Sequence, residues 1–180
     1  MFVPIALAVL GALCLLNLLF ILGVVRRLRE HSTAIAALGR AGGMGDGVLA
    51  AGSEVGAFSA TTIEGERVSA DGLSGRTLVG FFAPGCEPCH LQLPSFVDIA
   101  ADVPGGPSQV LAVVELGDGD RAAMVDRLRG VARVVLDEPG GAVTKAFAAE
   151  AFPSFCVLDE RTITSSGHDI TTVADPVAAV

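Results

Sequence analysis

The fold of this 180-residue chain is decided by residues 77–89, which read Thr77-Leu78-Val79-Gly80-Phe81-Phe82-Ala83-Pro84-Gly85-Cys86-Glu87-Pro88-Cys89. The first half is a short apolar run, rich in aromatic and β-branched residues, and it predicts a buried strand over 77–82. Pro84 and Gly85 then predict a turn, and a helical stretch follows over about 86–101. The two cysteines therefore stand between a buried strand and the start of a helix.

Strand-like and helix-like segments continue to alternate after this stretch. The predicted strands are 109–114 and 131–136, the predicted helices are 120–128 and 141–149, and 155–158 with 162–165 have the spacing of a hairpin. A β-α-β-α-β order that closes in a hairpin predicts an α/β fold, with a mixed central sheet and helices on both faces. Any last helix after Asp169 is expected to be short.

The position of Cys86 and Cys89 explains why two cysteines at this spacing are useful. A helix N-terminus offers unpaired N–H groups and the positive end of the helix dipole, which stabilise a thiolate at Cys86. We predict Cys86 as the attacking sulfur and Cys89, one turn further and more buried, as the thiol that resolves a mixed disulfide. Pro88 suits the first helical turn because its missing N–H would have had no partner there. Glu87 has the opposite effect on the Cys86 thiolate, because its carboxylate disfavours a second negative charge nearby.

Three other uses of the pair compete with this one. A structural disulfide between residues only three apart gains little loop entropy. Zinc would need further ligands, and the remaining candidates lack metal-site spacing: His31, His90, His168 and Cys156. The run Cys-Glu-Pro-Cys-His matches the signature of covalent haem c attachment, although a haem domain would be mostly helical. As a residue of the predicted helix, His90 could instead tune Cys89. We predict no metal and no cofactor.

At this point the chain resembles the thioredoxin-like superfamily, and within it the membrane-tethered bacterial thiol–disulfide oxidoreductases of the TlpA/redoxin type, MauD-like proteins included. The resemblance covers nearly the whole chain and rests on 52–58, 75–89, Pro94 and 151–155. It implies a thioredoxin-like fold and disulfide exchange with client proteins. It also implies that Pro153 is the cis proline beside the two cysteines and that Phe152 presents its backbone to a substrate peptide.

Two positions depart from the family pattern. Gly85 stands where that family commonly has Trp, and Gln92 stands where some members carry a Glu that handles protons for the buried thiol. The absence of that acid counts against a dedicated reductant of the cytochrome-maturation kind. A non-catalytic redoxin-like binding or scaffold module is a separate alternative to the enzyme. Cys156 lies on the apolar strand after Pro153, where we expect it to pack in the core; regulatory pairing with Cys89 is the alternative.

The N-terminal region accounts for much of the apolar character of the chain, whose mean hydropathy is +0.60. Residues 4–25 carry no charge, and at 1.5 Å per residue they would form a helix of roughly 33 Å, enough to cross a bilayer core. No Lys or Arg precedes this run, which favours a retained anchor over a cleaved signal peptide. We predict a transmembrane anchor at 1–25, a juxtamembrane helix with a Gly-rich linker at 26–52, and a thioredoxin-like domain at 53–180.

The distribution of charge limits the kinds of binding partner, but it does not settle on which side of the membrane the domain lies. Residues 53–180 hold 18 acidic against 8 basic side chains, which excludes nucleic acid and anionic lipid head groups as binding partners. The expected partners are protein thiols and disulfides, both clients and a recycling partner. The family resemblance favours an extracytoplasmic domain on the cell membrane. Arg26, Arg27 and Arg29, which follow the span, favour the cytoplasm by the positive-inside rule.

Overall fold

The computed structural model describes residue 11 and residues 47–174 of the chain. Within this part of the chain, no helix is both long enough and apolar enough to span a membrane. The predicted anchor and most of the 26–52 segment lie outside the described residues and stay predictions. Residues 47–52 are packed against the rest: Val48 is buried, and the Leu49 N–H donates to the Phe147 carbonyl oxygen at 2.9 Å. The folded part thus extends N-terminally of residue 53.

Seven strands and four helices make up the described fold. The strands are β1 (Ser59–Thr61), β2 (Arg67–Ser69), β3 (Arg76–Phe82), β4 (Val110–Glu115), β5 (Arg133–Asp137), β6 (Ser154–Asp159) and β7 (Thr162–Gly167). The helices are α1 (Glu87–Ala101), α2 (Arg121–Leu128), α3 (Ala142–Ala146) and α4 (Ile170–Ala174). The central sheet has the order β5-β4-β3-β6-β7. β3, β4 and β5 are parallel, whereas β6 is antiparallel to both β3 and β7. The predicted mixed α/β sheet is confirmed.

Most element boundaries agree with the prediction to within one residue, and two of the larger differences have a local reason. The third predicted strand begins at Arg133 and not at 131, because the N–H groups of Val131 and Ala132 donate to the Leu128 carbonyl and close the turn after α2. The helix predicted at 141–149 ends at Ala146. There the chain turns into the left-handed region, with Ala148 at φ 47°, so the helical hydrogen bonds cannot continue.

The two faces of the sheet are covered by different elements. Side chains of β3 alternate between them, so that Leu78 and Phe82 point to one face while Val79 and Phe81 point to the other. The first face is covered by α1, α2 and α4, and the second by α3 together with the antiparallel ribbon of β1 and β2. Helices on both faces were predicted; the β1–β2 ribbon was not.

Helix α1 packs on the first face through four residues spaced as one helical stripe, namely Cys89, Leu93, Phe96 and Ala100. Phe96 lies edge-on to Phe82, with ring centroids 5.1 Å apart, and is stacked on Phe155 at 5.8 Å. The space for this ring comes from Gly80, because a Cβ there would lie 2.6 Å from a Phe96 ring carbon. Gly80 thereby sets how closely α1 approaches the sheet.

Cys156 is fully buried in the core of the second face, as expected for core packing. Cys89 packs into the core of the first face, so the sheet separates the two sulfurs. The alternative of regulatory Cys89–Cys156 pairing is therefore wrong. The reason is the strand pleat, which points Phe155 and Val157 towards α1 and Cys156 away from it.

Replacing Gly80→Ala should lower the free energy of unfolding by about 1–3 kcal/mol, because the added methyl group overpacks the Phe96 ring. Urea unfolding followed by circular dichroism measures the change. Gly130→Ala is the matched control, since a Cβ at that position meets no atom within 4 Å. A Gly80→Ala variant as stable as the Gly130→Ala variant would contradict the close packing of α1.

Burial raises the pKa of the Cys156 thiol far above its ordinary value, so the thiol stays protonated at neutral and mildly alkaline pH. The remaining cysteine of the chain, Cys14, is replaced by serine (Cys14→Ser), so that Cys156 is the one free thiol when the Cys86–Cys89 disulfide is intact. This native protein should show no thiol reactive towards Ellman's reagent at pH 8. One thiol should react after unfolding in guanidinium. Stoichiometric reaction in the native state would contradict this burial.

Candidate functional site

Sheet register brings the cysteine motif and the segment before β6 to one edge of the sheet. Because β3 and β6 are antiparallel with Phe81 opposite Ser154, residues that follow Phe82 meet residues that precede Ser154. The parallel pairing of β3 with β4 sets Phe82 opposite Val114, so the loop after β4 reaches the same edge. Three loops therefore converge there.

Cys86 and Cys89 are joined by a disulfide, with their Cα atoms 5.2 Å apart. Cys86 is the N-cap of α1, in extended conformation, and its sulfur accepts the Cys89 backbone N–H at 3.2 Å. Cys86 is partly exposed whereas Cys89 is fully buried. Pro88 and Glu87 occupy the exposed first turn of the helix. An external thiol can therefore approach the sulfur of Cys86 but not that of Cys89.

The Phe152–Pro153 peptide bond is cis and lies beside the disulfide. The Phe152 carbonyl oxygen is 3.4 Å from Cys86 Sγ. Pro153 is buried, and Phe152 is half-buried against both cores. The Ser154 hydroxyl donates to the Ala151 carbonyl oxygen at 2.6 Å and so closes this turn. The structure thus brings together the four residues Cys86, Cys89, Phe152 and Pro153.

His90 lies on α1 but is bonded to the turn that precedes the motif. Its Nε2 is 2.7 Å from the Pro84 carbonyl oxygen. Since a carbonyl oxygen only accepts, Nε2 carries the hydrogen in this contact. The imidazole thus stabilises the turn that leads into Cys86. The described residues form an α/β domain around this motif, which is not the mostly helical domain that haem c attachment would require.

Gly85 carries no side chain, and the neighbouring loop fills the space beside it. A Cβ at Gly85 would lie 3.0 Å from the Asp118 carbonyl oxygen. Gly119 has φ 122°, and a Cβ there would lie 2.6 Å from the Pro84 carbonyl carbon. The Pro84–Gly85 turn and the loop after β4 therefore pack backbone against backbone, which leaves the disulfide without an aromatic cover from position 85.

Sequence reasoning considered His168 only as a metal ligand, yet it lies at this edge. Its Nδ1 is 2.5 Å from the Pro153 carbonyl oxygen and 3.4 Å from Ser154 Oγ. The hairpin spacing in the sequence does not indicate this position, because His168 is brought near Pro153 by the pairing of Phe155 with Gly167 across a register shift between Val157 and Leu158. Among the described residues, no group of three or more His, Cys, Asp or Glu side chains is placed to hold a metal ion.

No protein-family model and no curated protein matches this chain. Several solved structures, in contrast, are similar to this chain. The thioredoxin domain of a thiol–disulfide oxidoreductase from Bacteroides vulgatus is 19% identical with a TM-score of 0.59, over 72% of this chain and 96% of that one. A thiol:disulfide interchange protein from Bacteroides sp. is 21% identical with a TM-score of 0.55, over 73% and 93% of the two chains.

A third similar structure is a secreted Mycobacterium tuberculosis disulfide oxidoreductase homologous to E. coli DsbE. It is 19% identical with a TM-score of 0.55, over 68% of this chain and 96% of that one. At these identities the likeness concerns the fold. The chain therefore has a thioredoxin-like fold, as its sequence predicts.

Proposed function

We propose that this protein is a membrane-anchored thiol–disulfide oxidoreductase that exchanges disulfides with client proteins. The observation that carries the proposal is the Cys86–Cys89 disulfide at the N-terminus of α1, with one sulfur accessible and the other buried. The similar solved structures support it, because those proteins are disulfide oxidoreductases and a thiol:disulfide interchange protein.

The first step follows from the difference in exposure of the two sulfurs. A client thiolate attacks Cys86 Sγ and breaks the Cys86–Cys89 bond. A mixed disulfide forms between the client and Cys86, and Cys89 leaves as a thiolate that takes up a proton. In the reverse direction, the Cys86 thiolate attacks a client disulfide, and one client sulfur leaves as thiolate.

The second step uses the short distance between the two cysteines. When a client dithiol is being oxidised, its second thiolate attacks its own sulfur in the mixed disulfide and releases Cys86 as thiolate. When a client disulfide is being reduced, the Cys89 thiolate attacks Cys86 Sγ, closes the Cys86–Cys89 bond and releases the second client thiol. Two electrons pass between protein and client in either direction.

Stabilisation of the Cys86 thiolate depends on α1. The Cys89 N–H donates to Cys86 Sγ in the disulfide form, at the N-terminus of α1. Together with the helix dipole it favours the charged sulfur. Glu87 and Pro88, in the exposed first turn, tune this balance. His90 contributes through the Pro84 turn.

Client binding is assigned to the segment before β6. The Phe152 carbonyl faces the reactive sulfur at 3.4 Å, where a client backbone can run alongside it in a strand-like pairing. Pro153 has no N–H, so the residue that follows Phe152 offers no backbone donor of its own. We assign substrate binding to Phe152 and Pro153 on this basis.

The anchor and the location form part of the same proposal. Residues 4–25 are uncharged and long enough to span a bilayer, and we place the redox domain on the extracytoplasmic face, in keeping with the family resemblance. The arginines after the span oppose this orientation, but the positive-inside bias is weaker for long translocated domains. Confinement to a membrane would raise the effective concentration of the domain towards clients there.

Cys86→Ser should reduce the turnover of a protein disulfide such as insulin by at least 100-fold, because the attacking sulfur is lost. Cys89→Ser should accumulate mixed disulfides with clients, visible on non-reducing gels, because the resolving thiol is lost. Cys156→Ala is the control and should keep turnover within about threefold. Wild-type turnover in the Cys86→Ser variant would refute the assigned nucleophile.

Topology can be tested on the full chain in intact cells that have been treated with a permeant reductant. A membrane-impermeant maleimide should label the wild-type protein before lysis, because Cys86 is then reduced and faces the outside. The Cys86→Ser, Cys89→Ser double variant should show only background labelling. Labelling of the wild type that appears solely after lysis would place the domain in the cytoplasm.

A further inference from the structure

His168 links two elements at the point where their strand pairing stops. The β6–β7 ladder ends with Phe155 opposite Gly167, and His168 is the next residue along the chain. Its side chain reaches back across the end of the ladder to the Pro153 carbonyl oxygen, with Nδ1 at 2.5 Å. Because that oxygen only accepts, Nδ1 is the donor. One side-chain hydrogen bond thus extends the connection between β6 and β7 by a further residue.

The carbonyl that His168 holds lies next to the proposed client-binding backbone. Pro153 offers no N–H, so its peptide unit with Phe152 cannot be fixed through a donor of its own. The turn is held instead by two bonds: the Ser154 hydroxyl donates to the Ala151 carbonyl at 2.6 Å, and His168 donates to the Pro153 carbonyl. These bonds flank the Phe152 carbonyl, which faces Cys86 Sγ.

The imidazole is also held on its opposite edge. Gly47 lies against it, since a Cβ there would be 2.8 Å from His168 Cε1 and 3.1 Å from Nε2. Gly47 has φ 75°, and its carbonyl oxygen is 3.4 Å from the Ser154 hydroxyl oxygen. The ring therefore has a defined position between Gly47 and Pro153 although His168 as a whole is exposed.

We propose that His168 is a positioning residue for client binding: its Nδ1–H fixes the Pro153 carbonyl and thereby the orientation of the Phe152 backbone beside Cys86. This inference rests on the proposed function. His168 acts through the segment and not on the sulfurs. Its loss should therefore weaken the binding of an extended protein client more than it slows attack by a small thiol, which needs no backbone pairing.

Three substitutions at one position separate this role from a merely structural one. In His168→Asn the side-chain amide nitrogen takes the place of Nδ1 and keeps the donor. His168→Gln places its donor one bond further out, and His168→Leu has no donor. Each full-length variant, in detergent micelles, is assayed for KM and kcat with insulin and for the rate constant of disulfide reduction by dithiothreitol. Thermal unfolding is measured alongside.

We expect His168→Leu and His168→Gln to raise KM for insulin about tenfold, the effect of roughly one lost hydrogen bond. The fold-loss in the rate constant for reduction by dithiothreitol should be at least three times smaller than the fold-loss in kcat/KM for insulin. His168→Asn should return KM to within about threefold of the wild type. Gly47→Ala, which crowds the ring from its other side, should raise KM in the same direction.

Equal losses with insulin and dithiothreitol, no loss in His168→Leu, or no rescue by His168→Asn would each overturn the proposal. A wild-type protein that reacts with dithiothreitol but turns over no protein disulfide would refute the proposed function instead. In that case the positioning role is tested by nuclear magnetic resonance, through the signal of the Ser154 backbone amide. Its signal should shift or broaden in His168→Leu and recover in His168→Asn, and an unchanged signal in His168→Leu would overturn the proposal.

Discussion

The antiparallel pairing of β3 with β6 is the constraint on which the site depends. The register Phe81 to Ser154 requires that the chain leaving β3 and the chain entering β6 meet at one edge of the sheet. This register brings Cys86 Sγ to 3.4 Å from the carbonyl oxygen of Phe152, which lies 66 positions further along the chain. A slip of one residue would turn every β6 side chain to the opposite face and exchange the cores of Phe155 and Cys156. The strand register that builds the core therefore also assembles the candidate site.

Glycine controls how closely the other parts approach this edge. Gly80 admits the Phe96 ring and so sets the distance of α1 from β3. Gly119, at φ 122°, lets the loop after β4 touch the Pro84 carbonyl, and Gly85 leaves room for the Asp118 carbonyl. Close backbone contact thus occupies the space beside position 85. The chain has neither Trp nor Tyr, and the aromatic residue beside the disulfide is Phe152.

Local patterns were enough to predict the parts of the fold that are apolar and continuous. The run 77–82 is unambiguous because its residues are buried on both faces of the sheet, and the cysteine motif marks the helix that follows. The β1–β2 ribbon escaped prediction because each strand has only three residues and one of the six is buried, so no alternation is visible. The role of His168 was missed because its contact depends on a register between strands, which no local pattern encodes.

A hydrogen-bond donor and a carboxylate have opposite effects on a negative charge at Cys86, and their positions decide which effect is larger. The Cys89 N–H lies 3.2 Å from the sulfur and is held there by the helix, and a hydrogen bond to a charged group contributes about 1.5–3 kcal/mol. Glu87 is exposed in the first turn, where water and salt screen its repulsion to the level of surface pairs, about 0–1 kcal/mol. The fixed donor therefore outweighs the screened carboxylate. In the reduced form that our proposal requires, this donor would stabilise a Cys86 thiolate, and Glu87 would reduce that stabilisation without removing it.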